Sequence, residues 1–126
     1  MSNPKQVIVM RKDLGMRKGK MVAQGGHAVS AFFVYAFMKG KKPSKKVCER
    51  LENWVATGTA KICVSVDSEE ELLSIHQKAN SKGITSTLIQ DSGRTEFHGV
   101  PTYTCCAIGP DESENIDPIT GHLPLL

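Results

Sequence analysis

Lys20, Gln24 and His27 are spaced four and then three residues apart, so on a helix turning ~100° per residue they form one narrow polar stripe. An ammonium, an amide and an imidazole on one stripe can hold an anion, orient a carbonyl and handle a proton. A second group lies far downstream in "DSGRTEFHGVPT", where Asp91 runs directly into Ser92 and Gly93 and is followed by Thr95. Asp91 can close an Asx-turn on its own loop, or it can turn its carboxylate toward Lys20 and the stripe. The chain has no G-x-S-x-G elbow, no H-E-x-x-H and no metal-spaced histidine cluster. Hydrolysis by this set is therefore expected to be metal-free and to use Asp, His, Lys and Thr. His76, His98 and His122 have no evident partner and are read as surface or locally bonded.

The stripe opens within "GMRKGKMVAQGGHA", which looks like a nucleotide phosphate loop that has lost a residue. Gly15 and Gly19 bracket three residues where that loop needs four, and Met21 follows Lys20 where a Ser or Thr must hold Mg²⁺. The pattern fails, leaving a strand, a basic loop and a helix that starts on a lysine.

Positioning these groups requires elements the periodicity supplies. "QVIVM" (6–10) is a short apolar run that reads as a buried strand. A long helix follows from about Gly19 to Lys39, with Val22, Val29, Phe32, Phe33 and Ala36 on the side opposite the polar stripe, the face expected to pack on a sheet. Gly25 and Gly26 each cost that helix ~1 kcal/mol relative to alanine, which suggests close packing there. Ser44 caps a second helix that ends at Gly58. "AKICVSV" (60–66) is a strand, and Ser68 with Glu71 forms a capping box for a third helix that Gly83 stops. "ITSTLIQ" (84–90) and "TYTCCAIG" (102–109) are further strands, and the tail carries turn chemistry at Asp117-Pro118 and Thr120-Gly121. Strands alternating with helices imply parallel pairing through right-handed crossovers, while the loop before the last strand is too short for a helical crossover. The expected fold is a single α/β domain over 1–126. It has a mixed four-stranded sheet, three parallel strands plus an antiparallel last strand, with helices on both faces. Sites in such sheets form beyond the carboxyl ends of the strands, where Lys20 and Asp91 both fall.

Across 126 residues, 40% of them hydrophobic, there is enough apolar material for one core. The longest apolar run, "AFFVYAFM" (31–38), is too short to span a bilayer, and no secretory leader is evident, so a cytoplasmic protein is expected. The four cysteines form no C-x-x-C pair and are read as free thiols. The net charge of +3 conceals a split: residues 1–50 sum to +10 and residues 51–126 to −7. Clustered cations favour a polyanionic partner, with a solvated basic face as the plainer alternative. Lys41, Lys42, Lys45 and Lys46 oppose the dipole of the second helix, so they serve a partner or solubility rather than the helix.

The segments "KQVIVMRKDLGMRKGKMVAQGGHA", "DSGRTEF" and "PTYTCCAIGPDESENIDPITGHLPLL" together resemble the archaeal and eukaryotic type of peptidyl-tRNA hydrolase. The resemblance runs in order through nearly the whole chain: Asp13-Leu14, Met16, Gly19-Lys20, Ala23-Gln24, His27-Ala28, Asp91, Gly93, Thr95, Thr102, Thr104, Ile108-Gly109-Pro110 and Ile116 through Leu125. Val22 and the Gly25-Gly26 pair depart from it. The resemblance implies hydrolysis of the ester between a peptide and the terminal ribose of tRNA. It implies Lys20, Asp91, Thr95 and His27 as catalytic residues and Gln24, Thr102, Thr104, Lys18 and Arg17 as substrate contacts. It further implies peptidyl-tRNA as partner, no cofactor or metal, and compatibility with a homodimer; no membrane partner is expected from the sequence itself. A basic, non-catalytic RNA-binding or adaptor domain is the alternative reading.

Overall fold

The structure is a computed structural model that describes residues 2–38, 43–94 and 96–126. Its elements follow in the order β1 (Pro4–Arg11), α1 (Lys18–Phe33) continued by a π-helical turn (Val34–Met38), α2 (Lys45–Ala56), β2 (Lys61–Val66), α3 (Glu69–Ser81), β3 (Ser86–Asp91), a 3₁₀ turn (Phe97–Gly99), β4 (Thr102–Glu112) and α4 (Ser113–Thr120). The side chains of β1 alternate between two apolar faces, as a strand buried on both sides must. Val7 and Val9 join Leu72, Ile75, Ile116 and Ile119 beneath α3 and α4, while Ile8 and Met10 join Met16, Ala28 and Met21 beneath α1. Ser68 caps α3 as its sequence requires, its hydroxyl accepting the Glu71 N–H at 3.0 Å, and Ser44 caps α2 through Val47.

The four strands are ordered β2-β1-β4-β3. Only β1 and β2 pair in parallel; β4 is antiparallel to β1 on one side and to β3 on the other. The expected set of three parallel strands is therefore corrected. Alternating helices and strands constrain the direction of each strand but not its neighbours, and β4 has inserted beside β3, which becomes an edge.

Three further expectations change. The buried residues of α1 are Gln24, Gly25, Ala28 and Phe32, whereas Val22 is 75% exposed and Phe33 lies on the surface. The helix is rolled so that the polar stripe borders the sheet, with small residues at the contact. Helix and π-helical turn also form one 21-residue run, Lys18–Met38, long and apolar enough by length and composition alone to cross a membrane, although here α1 packs on the sheet. Finally, the tail is helical: Ile116 and Ile119 are fully buried in α4 despite Pro118 within it. Burial of that i, i+3 pair outweighs the turn chemistry of Asp117-Pro118. All four cysteines are free.

The glycine pair divides in role. An added Cβ at Gly25 would meet Ile8 and Met10 at 3.8 and 3.9 Å, whereas at Gly26 it would meet nothing within 4 Å. Gly26→Ala is accordingly expected to raise the free energy of unfolding by ~1 kcal/mol in urea titrations. A loss of stability would show that Gly26 serves a contact other than helix packing.

Candidate active site

Asp91 is the last residue of β3, and Lys20 is in the first turn of α1, which lies on the same face of the sheet. The Lys20 ammonium donates to Asp91 Oδ1 at 2.8 Å, with the two side chains only 15% and 13% exposed. Gln24, one turn along the helix, donates to the same Oδ1 at 3.3 Å. The other oxygen, Oδ2, accepts the Gly93 N–H at 2.8 Å. Asp91 thus closes the Asx-turn and holds Lys20 at once, one oxygen for each. Gly93 has φ of +82° and lies so close to Val100 that a Cβ would fall 2.3 Å from the carbonyl oxygen. Only glycine lets this loop pass beneath Val100 and hand its N–H to Asp91.

Thr104 reaches the site through an irregularity in β4. Ile89 pairs with Cys105 and Gln90 with Tyr103, so Thr104 is the extra residue of a β-bulge. An unbroken strand would send Thr104 and Cys105 to opposite faces. The bulge turns both toward α1: the Thr104 hydroxyl donates to Gln24 Oε1 at 2.5 Å, and the Cys105 thiol to the Gln24 carbonyl at 3.3 Å. Gln24 is therefore fixed at both ends, its oxygen by a buried hydroxyl and its nitrogen by Asp91. The result is one chain of polar contacts, Thr104 to Gln24 to Asp91 to Lys20, across the mouth of the sheet.

The remaining expected residues divide. His27 is exposed and lines the groove that starts at Gln24 and Asp91. Arg17 and Lys18 are exposed at the start of α1, with Arg17 3.8 Å from Glu96. Thr102 pairs with Asp91 in the ladder, but its hydroxyl donates to Val100 at 2.8 Å and so holds the loop. Thr95, Lys41 and Lys42 lie outside the described residues, while Lys45 and Lys46 open α2 on the surface. His76 is locally bonded, to Ser86 and Asn80.

Arg11 escaped the sequence reading. Its guanidinium forks onto Asp13 at 3.1 and 2.7 Å and donates to the Tyr103 carbonyl at 3.0 Å, tying the loop between β1 and α1 to β4. The only sequence signal was a basic residue two positions before an acid at a strand exit. The groove was likewise invisible in the sequence: about 620 Å³, walled by Gln24, His27, Ala31, Val34 and Tyr35 on one side and by Leu88 to Ser92 on the other.

Electrostatically the site is set for anions at one end. The first intrahelical bond of α1 is Met21 N–H to the Arg17 carbonyl, no side chain caps the helix, and no acid lies in its first turn. The amides of that turn point out toward Arg17 and Lys18, so helix dipole and side-chain charge have the same sign there. Lys20 holds the Asp91 carboxyl below its ordinary value against the opposing effect of burial, aided by the Gly93 N–H. Thiol chemistry is not offered, since burial pushes the Cys105 and Cys106 thiols up to about 12. Among the described residues no three His, Cys, Asp or Glu side chains converge on a metal position.

Because Asp91 is depressed in the folded chain, its contribution to stability is complete above its unfolded value near pH ~4 and is lost as pH falls through the lower folded value. Asp91→Asn is expected to lower stability at pH 7 and to make unfolding less acid-sensitive below about pH 4. Urea titrations across that range check both signs; an unchanged acid limb would mean that Asp91 is not depressed.

Residues 4–126 match the family model described as Peptidyl-tRNA hydrolase PTH2. The chain is 46% identical over 122 residues to the peptidyl-tRNA hydrolase of Methanocaldococcus jannaschii, covering 97% of this chain and 99% of that protein. It is 41% identical to the peptidyl-tRNA hydrolase of Methanopyrus kandleri, covering 97% of each. A probable peptidyl-tRNA hydrolase 2 of Dictyostelium discoideum is 43% identical over 96% of this chain, which spans 54% of that longer protein. With nearly its whole length matched, the chain belongs to the PTH2 family of peptidyl-tRNA hydrolases.

Proposed function

We infer that this protein hydrolyses the ester joining a peptide to the terminal ribose of tRNA, releasing both and returning tRNA to translation. The observation that carries the reading is the Lys20–Asp91 pair at the mouth of a groove, beside an uncapped basic helix start. Water adds to the ester carbonyl, negative charge builds on its oxygen, and the ribose oxygen leaves with a proton. Lys20 and the amides of the α1 start stabilise that oxyanion. Asp91 orients the attacking water. A carboxylate depressed below its ordinary value is a weak base, so its role is orientation and charge more than proton abstraction. Thr95 is assigned to the same water. Gln24 and His27 orient the ester or the terminal ribose, and Thr104 acts through Gln24 as a positioning residue.

Arg17, Lys18 and the basic segment Lys41, Lys42, Lys45 and Lys46 hold phosphates. Such contacts are blind to sequence, as suits an enzyme acting on many tRNAs. A purely RNA-binding role would use the basic face but leave the buried Lys20–Asp91 pair without purpose. The protein works in the cytoplasm, where translation strands its substrate. The same reading is compatible with a homodimer, for which the exposed Val22 and Leu126 beside the partly covered face of β1 and β2 are the apolar surface to bury.

Lys20→Ala and Asp91→Asn are each expected to lower single-turnover hydrolysis of peptidyl-tRNA by roughly 10² or more, in buffer containing EDTA. The double variant should be little worse than the poorer single one, because groups acting as a unit are non-additive. Multiplicative losses would mean independent roles, and near-normal rates in either folded variant would remove that residue from the chemistry. Neutralising Lys41, Lys42, Lys45 and Lys46 together should weaken tRNA binding and flatten its salt dependence while sparing the saturated single-turnover rate. An equal fall in that rate would contradict a phosphate-holding role.

A further inference from the structure

β3 is an edge strand, and its outer side forms one wall of the groove that ends at Asp91. The Gly109 N–H donates to the Thr85 carbonyl at 2.8 Å, which sets the phase of the antiparallel ladder. Residues alternate inward and outward from there, so Leu88 and Gln90 turn their N–H and C=O groups away from β4. The bulge that follows places its extra residue on β4, leaving this alternation in β3 intact. No hydrogen bond among the described residues reaches the outward groups of Leu88 or Gln90, and the Gln90 side chain is exposed. An unpaired strand edge of this kind pairs readily with an extended chain.

We propose that the edge of β3 binds the peptide moiety of the substrate as an added strand, so that the enzyme recognises peptide by its main chain and not by its sequence. The proposal rests on the hydrolase reading above and gives it a peptide subsite. Direction follows from the chemistry: the ester carbonyl is the peptide's C-terminus and must lie at Asp91, the C-terminal end of β3. The peptide therefore runs parallel to β3, using Leu88 and Gln90 as its bonding residues. Ser86 to Asp91 spans roughly 17 Å, and Gln24 to Tyr35 along the opposite helix wall spans about the same. An extended peptide of about five residues fills that length.

Charge separates the two halves of the substrate. Arg17 and Lys18 flank the site at the helix start, beyond Asp91, whereas the described residues of the groove wall include no Lys or Arg. A phosphodiester strand laid along β3 would set its charges against the outward carbonyl oxygens, with no Lys or Arg among the described wall residues to offset them. A peptide main chain supplies the donors and acceptors that the edge lacks. Recognition by main chain also suits a substrate whose peptide sequence is arbitrary, since a strand edge reads backbone and leaves alternate side chains free.

The test uses the intact protein and one tRNA charged with acetylated peptides of one, two, four and six residues. kcat/KM is expected to rise about tenfold up to four or five residues and then level off, the scale of one or two added main-chain hydrogen bonds. Single N-methyl groups placed along the four-residue peptide should cost up to about tenfold at alternate positions and little at those between. Leu88→Pro removes an outward N–H that the ladder does not use; with Leu88→Ala as control, it should collapse the ratio between four-residue and one-residue substrates. Length-independent rates, or N-methyl costs without a period of two, overturn the proposal. An equal loss by Leu88→Pro on short and long substrates would assign the groove to the 3′ strand of tRNA and also overturn it. No hydrolysis of any member would instead overturn the activity itself.

Discussion

A lysine ammonium and an aspartate carboxylate, both largely withdrawn from water, lie 2.8 Å apart between α1 and the end of β3, where Gln24 and the Gly93 N–H also hold the carboxylate. Removing one partner of such a pair strands the other, at a cost on the order of a few kcal/mol. Replacing both with well-packed apolar residues is often neutral, so stability alone does not explain their presence. What the pair imposes is geometry. Lys20 can reach Asp91 only if the start of α1 sits at the carboxyl end of β3. The roll of the helix, the burial of Gln24 and the bulge at Thr104 all follow from meeting that requirement with satisfied hydrogen bonds.

The same requirement explains what could be read from the sequence and what could not. Lys20 and Asp91 were legible because a residue opening a helix and a residue ending a strand meet wherever those elements share an edge. The Ser68 cap was legible because its signal is local. The buried face of α1 was misread for a physical reason: Val22, Phe33 and their neighbours carry more apolar area than Gly25 and Ala28, and area normally decides which side faces the core. Here the helix buries Gln24, Gly25 and Ala28 together with the expected Phe32, and leaves Val22 and Phe33 exposed. Ile8 and Met10 face the Gly25 position, where they would meet a Cβ in ordinary contact.

Neighbour order was the other illegible feature. A strand's direction is set by the connection before it, but its partner is chosen by pairings distant in sequence, and β4 satisfies both β1 and β3. Had β3 paired in parallel with β1, it would have been a central strand with no open side. Insertion of β4 does two things at once. It brings Thr104 under Gln24 from the middle of the sheet, and it sends β3 to the margin with Asp91 at its tip. The position of the last strand, more than any residue in the loop after Asp91, decides that the site lies at an edge.

Thr104, Gln24 and Gly25 connect these two constraints. Gln24 is 2% exposed and its two polar ends are held by groups from different strands, Thr104 on β4 and Asp91 on β3. That amide therefore measures the gap between helix and sheet at two points. A methyl at position 25 would rest in ordinary contact with Ile8 and Met10, whereas a larger side chain pointing the same way would have to push against them. Lifting the helix by even part of an ångström would stretch the 3.3 Å contact from Gln24 to Asp91 before it disturbed the longer and more flexible Lys20 side chain. A small residue at position 25 thus lets the helix keep the height at which it carries its polar stripe, and that position bears on the site through distance and not through chemistry of its own.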